Sequence, residues 1–282
     1  LVLLGACGDP GAKGARAAGD RGSDRGGEER AGVVDHAASV VPPDSAVQSL
    51  RWSGAAGNVA GGAAYRPVRD TATLQAGVLV GRISTTKDIV GDSAIIPTHD
   101  LAVCHPFTET HLPAQDRGVG NAVVWLAGVK TGPVVDAPRR ATLTLDRCQL
   151  SPRVQRMAAG GTLQVASRDA MSSRLRFVDV GDEQKMRTQV DLTDAGQVVP
   201  TSAMSEQPGL VAVRDDLHPW VRAYIAVASH PFVAVTTADG AFRFGTVPPG
   251  RYTLVVWQEQ LGVRTRAVRV ETGVETRVRV EY

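Results

Sequence analysis

The sequence predicts an all-β protein made of two small sandwiches. From Val211 to Gly262 the chain is a row of short apolar runs cut by tight turns. Val211 and Val213, then Phe242 and Phe244, alternate with small or charged neighbours, which is the period of a half-buried strand. Asp239-Gly240 stands between two such runs as a hairpin signal, because a primed turn needs positive φ. Pro248-Pro249-Gly250 supplies a second turn, proline fixing φ and glycine expected in the left-handed region. A length of 282 residues gives room for two domains, and 43% hydrophobic with 21% charged content is ordinary for a folded chain.

Taken in order, the chain opens Leu1-Val2-Leu3-Leu4-Gly5-Ala6-Cys7. An apolar residue and two small ones before a cysteine resemble the lipobox that ends a bacterial lipoprotein signal peptide at residues 1–7. The resemblance implies lipidation of Cys7 and a place in the cell envelope, periplasmic or on the outer membrane. Residues 8–64 are rich in Gly, Ala, Asp, Arg and Ser; Gly19 to Arg30 alternates charge and cannot bury a core. That segment reads as a disordered tether. No other apolar run approaches membrane-spanning length, so membrane contact is expected through the lipid alone. In an exported chain, Cys104 and Cys148 are expected to form a disulfide, with two buried free thiols as the alternative. Closing that loop stabilises the fold by on the order of 4 kcal/mol, through entropy removed from the unfolded chain.

Order is expected from Tyr65. Ala76 to Ile83 is strand-like, and Asn121 to Leu126 is a strand with apolar residues on both faces, as at the centre of a sandwich. Thr237-Ala238-Asp239-Gly240-Ala241-Phe242-Arg243-Phe244, followed by Val247 to Leu254, resembles the carboxypeptidase regulatory-like domain. That domain is a transthyretin-like β-sandwich of the carbohydrate-binding-like fold group. The strands at 76–83 and 121–126 resemble its opening. Ala141 to Val154 and Ala159 to Val165 resemble the first strands of Greek-key cupredoxin-like domains, and Asp215-Asp216-Leu217-His218-Pro219-Trp220-Val221 resembles their second copper-ligand loop. The resemblances imply first regulatory-like strands in 65–140, a cupredoxin-like domain inserted at 141–228, and the remaining regulatory-like strands in 229–282. Insertion at a loop is tolerated because sandwich termini lie close together. At the end of the chain Thr276, Val278, Val280 and Tyr282 face one way, and Glu275, Arg277, Arg279 and Glu281 the other. With Arg264, Arg266 and Arg269, this reads as a solvated strand face in preference to a basic binding stripe.

A blue-copper centre needs two imidazoles, a thiolate and a weak axial Met, because soft sulfur stabilises Cu(I). In the family's loop a Cys precedes the His by three residues and a Met follows it by three. Those positions hold Asp215, His218 and Val221, and Ser173 stands where the other His would be. Two donors are too few for a dedicated metal site. The four positions are therefore read as vestigial, no cofactor is expected, and His218 is expected to hydrogen-bond a loop backbone group. His99, Cys104, His105 and His111, with Asp100, Glu109 and Asp116 nearby, match no zinc spacing and read as a polar surface loop.

Enzyme chemistry finds no motif: there is no Gly-x-Ser-x-Gly elbow, no His-Glu-x-x-His helix and no glycine-rich phosphate loop between strand and helix. A net charge of +2 gives no case for nucleic acid. The expected function is that of a non-catalytic envelope lipoprotein acting as a binding or scaffold module, with a glycan or an envelope protein as partner. Trp220 and Trp257 are the candidate stacking surface. The alternative is periplasmic copper binding or electron transfer through a rearranged metal site.

Overall fold

Period-two alternation becomes strand throughout the residues that the computed structural model describes, 65–71, 74–87, 92–110 and 112–282. Cys7, the 8–64 segment and His111 lie outside the described residues. In chain order the strands are β1 (Arg66–Pro67), β2 (Gly77–Ser84), β3 (Asp92–Ile95), β4 (Phe107–Thr110), β5 (Val123–Ala127), β6 (Thr131–Gly132), β7 (Arg140–Asp146) and β8 (Gln149–Ser151). There follow β9 (Val154–Ala158), β10 (Thr162–Ser167), β11 (Ser173–Asp179), β12 (Asp182–Leu192), β13 (Val198–Thr201) and β14 (Gly209–Asp215). The last are β15 (Arg222–Ala228), β16 (Val233–Val235), β17 (Ala241–Val247), β18 (Gly250–Gln258), β19 (Gly262–Val270) and β20 (Glu275–Glu281). Among the described residues there is no α-helix; a short 3-10 turn lies at Ala203–Ser205. The protein is all-β.

Strand pairing divides the chain. The sheets β16-β5-β18-β19 and β17-β2-β20 face each other over a core that includes Leu79, Val124, Leu126, Phe244, Val256 and Val280. The sheets β13-β10-β7-β8 and β12-β11-β14-β15-β9 enclose a second core, with Leu145, Leu163, Phe177, Val213 and Ile225. The chain thus lays down β2 and β5 of one sandwich, builds the whole of another from β7 to β15, and returns to complete the first. Between β2 and β5, β3 and β4 pair as a separate antiparallel arm whose tip is the 96–106 loop.

A third apolar layer joins the sandwiches. Val123 and Trp125 of β5, with Val255 and Trp257 of β18, lie on the back of their sheet. They pack against Val178 of β11, Leu210 and Ala212 of β14, and Tyr224 and Ala226 of β15. This accounts for the unbroken apolar runs Val-Val-Trp-Leu in β5 and Leu-Val-Ala-Val in β14. Alternation disappears where both faces of a strand are covered. The C-terminal strand shows the opposite case: Val278, Val280 and Tyr282 are buried, and Glu275, Arg277, Arg279 and Glu281 exposed.

Both turns that the sequence marks are corners between sheets. Asp239-Gly240 does not close a hairpin, since β16 pairs with β5 and β17 with β2. Gly240 has φ +79°, its N–H donates to the Thr237 carbonyl at 2.8 Å, and its own carbonyl accepts from the Ile83 N–H at 2.9 Å. A Cβ there would fall 2.0 Å from the Ile83 carbonyl oxygen, so this close crossing requires glycine. Gly250, unlike Gly240, is not left-handed. In this corner the positive φ belongs to Thr246, at +52°, where the β17–β2 register shifts. That bulge makes the bend before the prolines are reached.

Candidate functional site

The loop between β14 and β15 is organised by one carboxylate. Asp215 Oδ1 accepts from the backbone N–H of Leu217 at 2.9 Å and of Arg174 at 3.1 Å. Its Oδ2 lies 2.9 Å from His218 Nδ1. Backbone bonds from Val221 N to His218 O (2.8 Å) and from Asp215 N to Val221 O (3.1 Å) close the turn. The His218 ring is fully buried, and its Nε2 meets Asp100 Oδ2 at 2.7 Å. Trp220 lies edge-on to it at 5.3 Å between centroids, and His99 at 6.5 Å. His218 therefore bonds two carboxylates and not a loop backbone group.

Asp100 reaches this place on the β3–β4 arm. Its carbonyl accepts from the N–H of both Val103 and Cys104 at 2.8 Å, turning the loop so that Cys104 bonds Cys148 in a disulfide. Cys148 sits in a left-handed β7–β8 turn, where the Asp169 carboxylate accepts its N–H at 2.7 Å and that of Arg147 at 2.8 Å. The Met171 sulfur packs 3.5 Å from Cys104 Sγ and 3.6 Å from Cys148 Sγ. His99 and His105 stay exposed, and the His99 ring faces the Thr98 hydroxyl at 3.0 Å.

Copper does not fit these residues. Asp215 and His218 are adjacent, but each is already engaged: the carboxylate by two N–H donors and the ring, the ring by a carboxylate at either nitrogen. Val221 is buried in the apolar core of the second sandwich. Ser173 begins β11 and is buried, and its hydroxyl lacks a hydrogen-bond partner among the described residues. Among the described residues no thiolate is on hand, because Cys104 and Cys148 are bonded to each other. Among the described residues no group of three or more His, Cys, Asp or Glu side chains is placed to hold a metal ion.

Burial withdraws Trp257 from the candidate stacking surface, whereas Trp220 keeps part of its surface exposed. Trp257 is buried between the sandwiches, its ring 4.8 Å from that of Tyr224. It lies on the back of β18, which the second sandwich covers. Trp220 is half-buried against the second core. Sequence reasoning singled out the His218 loop but missed Asp100 as its partner. The pairing of Cys104 with Cys148 was the available signal, since it brings residue 100 to the same end of the second sandwich.

Comparison with known proteins gives one family match. The model of polysaccharide lyase family 4, domain II, matches residues 196–278. No curated protein matches the chain. Solved structures with similar strands are cupredoxins and a copper enzyme. A purple cupredoxin from Nitrosopumilus maritimus is 16% identical, over 31% of this chain and 99% of that one, with a TM-score of 0.26. An auracyanin from Roseiflexus castenholzii is 12% identical, over 33% and 98%, with a TM-score of 0.27. A copper-containing nitrite reductase from Thermus scotoductus SA-01 is 17% identical, over 36% and 24%, with a TM-score of 0.27.

Proposed function

We propose that the protein is a non-catalytic glycan-binding module of a bacterial cell envelope, held to the membrane through lipidated Cys7. The observation that carries the glycan reading is the match to polysaccharide lyase family 4, domain II. Its residues 196–278 take in β14 and β15, which are buried on both faces, and the returning strands β16 to β19. In this reading the first sandwich is a regulatory-like domain that carries the ligand. The second is a cupredoxin-like insertion without copper, acting as a buttress. The donor chemistry at His218 supports that assignment, because a carboxylate replaces the sulfur that a redox copper requires.

A glycan array probed with the full chain tests the reading, and silence across neutral and acidic glycans alike would remove its basis. Copper held at one equivalent per chain, in protein purified without added metal, would favour the electron-transfer alternative. For the anchor, Cys7→Ser is expected to move the protein from the membrane fraction to the soluble one.

A further inference from the structure

The two crossings between the sandwiches meet at the start of the described chain. The outgoing crossing, residues 128–139, runs from β5 to β7, and the return crossing, residues 229–232, from β15 to β16. β1 pairs in parallel with β6, which lies on the outgoing crossing. The Arg66 N–H donates to the Lys130 carbonyl at 2.9 Å, and the Val68 N–H to that of Gly132 at 2.8 Å. The Tyr65 hydroxyl donates to the Pro133 carbonyl, and its ring lies 5.9 Å from the His230 ring of the return crossing. A Cβ on Gly132 would fall 2.9 Å from Tyr65 Oη and 3.2 Å from the Phe232 ring, so all three segments close on one another there. Residues 65–69 therefore form a strap over both crossings, held by these bonds and by the packing of Tyr65 on the first core.

His230 lies buried at this junction, and its bonding suits the neutral ring. Nδ1 accepts the Phe232 N–H at 3.2 Å, and Nε2 has no partner among the described residues, nor has the adjacent Ser229 hydroxyl. A second proton must go to Nδ1, where it would face the Phe232 N–H, donor against donor. The charged residues of the strap and the outgoing crossing, Arg66, Arg69, Lys130, Asp136 and Arg139, are exposed. The return crossing holds no other titratable side chain, and burial is the only cause that acts on the imidazole pKa. Tyr65, against the ring, stays a neutral phenol, since burial raises its pKa.

We propose that this junction is an acid-released strap: a proton taken up at His230 Nδ1 expels Tyr65 and unpairs β1 from β6, while both sandwiches stay folded. Withdrawing Tyr65 opens the imidazole to water and restores its ordinary pKa of 6.5, against about 4 in the closed junction. The released form therefore takes the proton first, and falling pH favours release. The strap gives way before the sandwiches because a short, exposed strand holds it and a packed core holds them. Its consequence for reach rests on the anchor reading above: release adds residues 65–76 to the tether, about 40 Å at full extension.

The test is fluorine NMR of the full chain carrying 3-fluorotyrosine at its four tyrosines, with the Tyr65 signal assigned from Tyr65→Phe. Between pH 7 and pH 4 the ratio of closed to released strap should fall about 100-fold. The Tyr65 signal should move towards its unfolded position while those of Tyr224, Tyr252 and Tyr282 hold theirs. His230→Asn keeps an acceptor for the Phe232 N–H and takes up no proton, so its Tyr65 signal should stay in place over the same range. A wild-type Tyr65 signal that does not move, or that moves only together with the other three, would overturn the strap. So would equal movement in wild type and His230→Asn, which would take the proton away from His230. Should the variant leave Tyr65 displaced at pH 7, wild type alone decides, by whether Tyr65 moves before the other tyrosines. None of these outcomes depends on the lipid anchor, which the Cys7→Ser fractionation tests separately.

Discussion

His230 shows what burial does to an imidazole that has no charged partner. Its ring is 2% exposed, between Tyr65 and Phe232, and Nδ1 accepts the Phe232 N–H at 3.2 Å. The proton of the neutral ring therefore sits on Nε2, which has no partner among the described residues. Burial pushes the pKa down from 6.5 to about 4. The folded value lies below the unfolded one, so the unfolded chain takes up the proton first. Stability is complete above the unfolded value and is lost as pH falls towards the folded one. The loss is about 3 kcal/mol between pH 7 and pH 4. Urea unfolding at both pH values should show that loss in wild type, and His230→Asn, which keeps an acceptor for Phe232, should be spared it. Equal losses in both proteins would refute the assignment. His218 is the contrasting case, a buried ring with a carboxylate at each nitrogen. His218→Ala takes the ring partner from Oδ2 of the fully buried Asp215, whose Oδ1 keeps its two N–H donors, and should cost about 1–3 kcal/mol, whereas Asp100→Ala, whose side chain is 44% exposed, should cost about 1 kcal/mol or less. Reversal of that order in denaturant unfolding would place the weight of the pair on Asp100. The sequence marked His218 by its neighbours Pro219 and Trp220. Asp100, 118 residues away, carried no local mark, because such a partner is chosen by the fold and not by spacing.

At the scale of elements, the β3–β4 arm is what the sequence least foretold. It leaves the first sandwich between β2 and β5 and fastens to the second at three points. These are Asp100 on His218, Cys104 bonded to Cys148, and Glu109 paired with Arg153. A loop read as a polar surface segment is thus a clamp, and its charged residues are spent on contacts. The double substitution Cys104→Ser, Cys148→Ser opens a loop spanning 44 residues and should lower stability by about 4 kcal/mol. It should also release the arm, raising hydrogen exchange at 92–110 above that of β14 and β15. Protection that stays level across the two would mean that the disulfide does not hold the arm. Turns were legible only in part. Local chemistry located Asp239-Gly240 and the 248–250 corner, because positive φ and proline geometry are properties of a few residues. Which strands a turn joins depends on distant pairing, so a crossing between sheets carried the signature of a hairpin. The C-terminal strand was fully legible because its two faces meet different surroundings.

Across the whole molecule, the layer between the sandwiches decides how the protein unfolds. Domains in one chain usually meet through modest polar contacts and move relative to each other. Here Trp125, Val255 and Trp257 of one sheet meet Leu210, Ala212 and Tyr224 of another in a continuous apolar layer. At its margin Arg153, 11% exposed in its side chain, bonds Glu259 of the first sandwich at 2.7 Å, pairs with Glu109 of the arm, and lies 5.9 Å from the Tyr224 ring centroid. Removing this guanidinium takes the cation from buried Glu259 and leaves Glu109 with Arg222 at 3.8 Å, so Arg153→Met should cost about 3–5 kcal/mol. Neither sandwich can separate without exposing that layer, and the second is covalently a detour within the first. The full chain should therefore melt in one calorimetric transition. Trp257→Ala should lower that transition as a whole, by the midpoint shift that corresponds to about 3–5 kcal/mol. Two resolved transitions in wild type, or a Trp257→Ala variant in which only one of two steps moves, would show that the sandwiches fold independently.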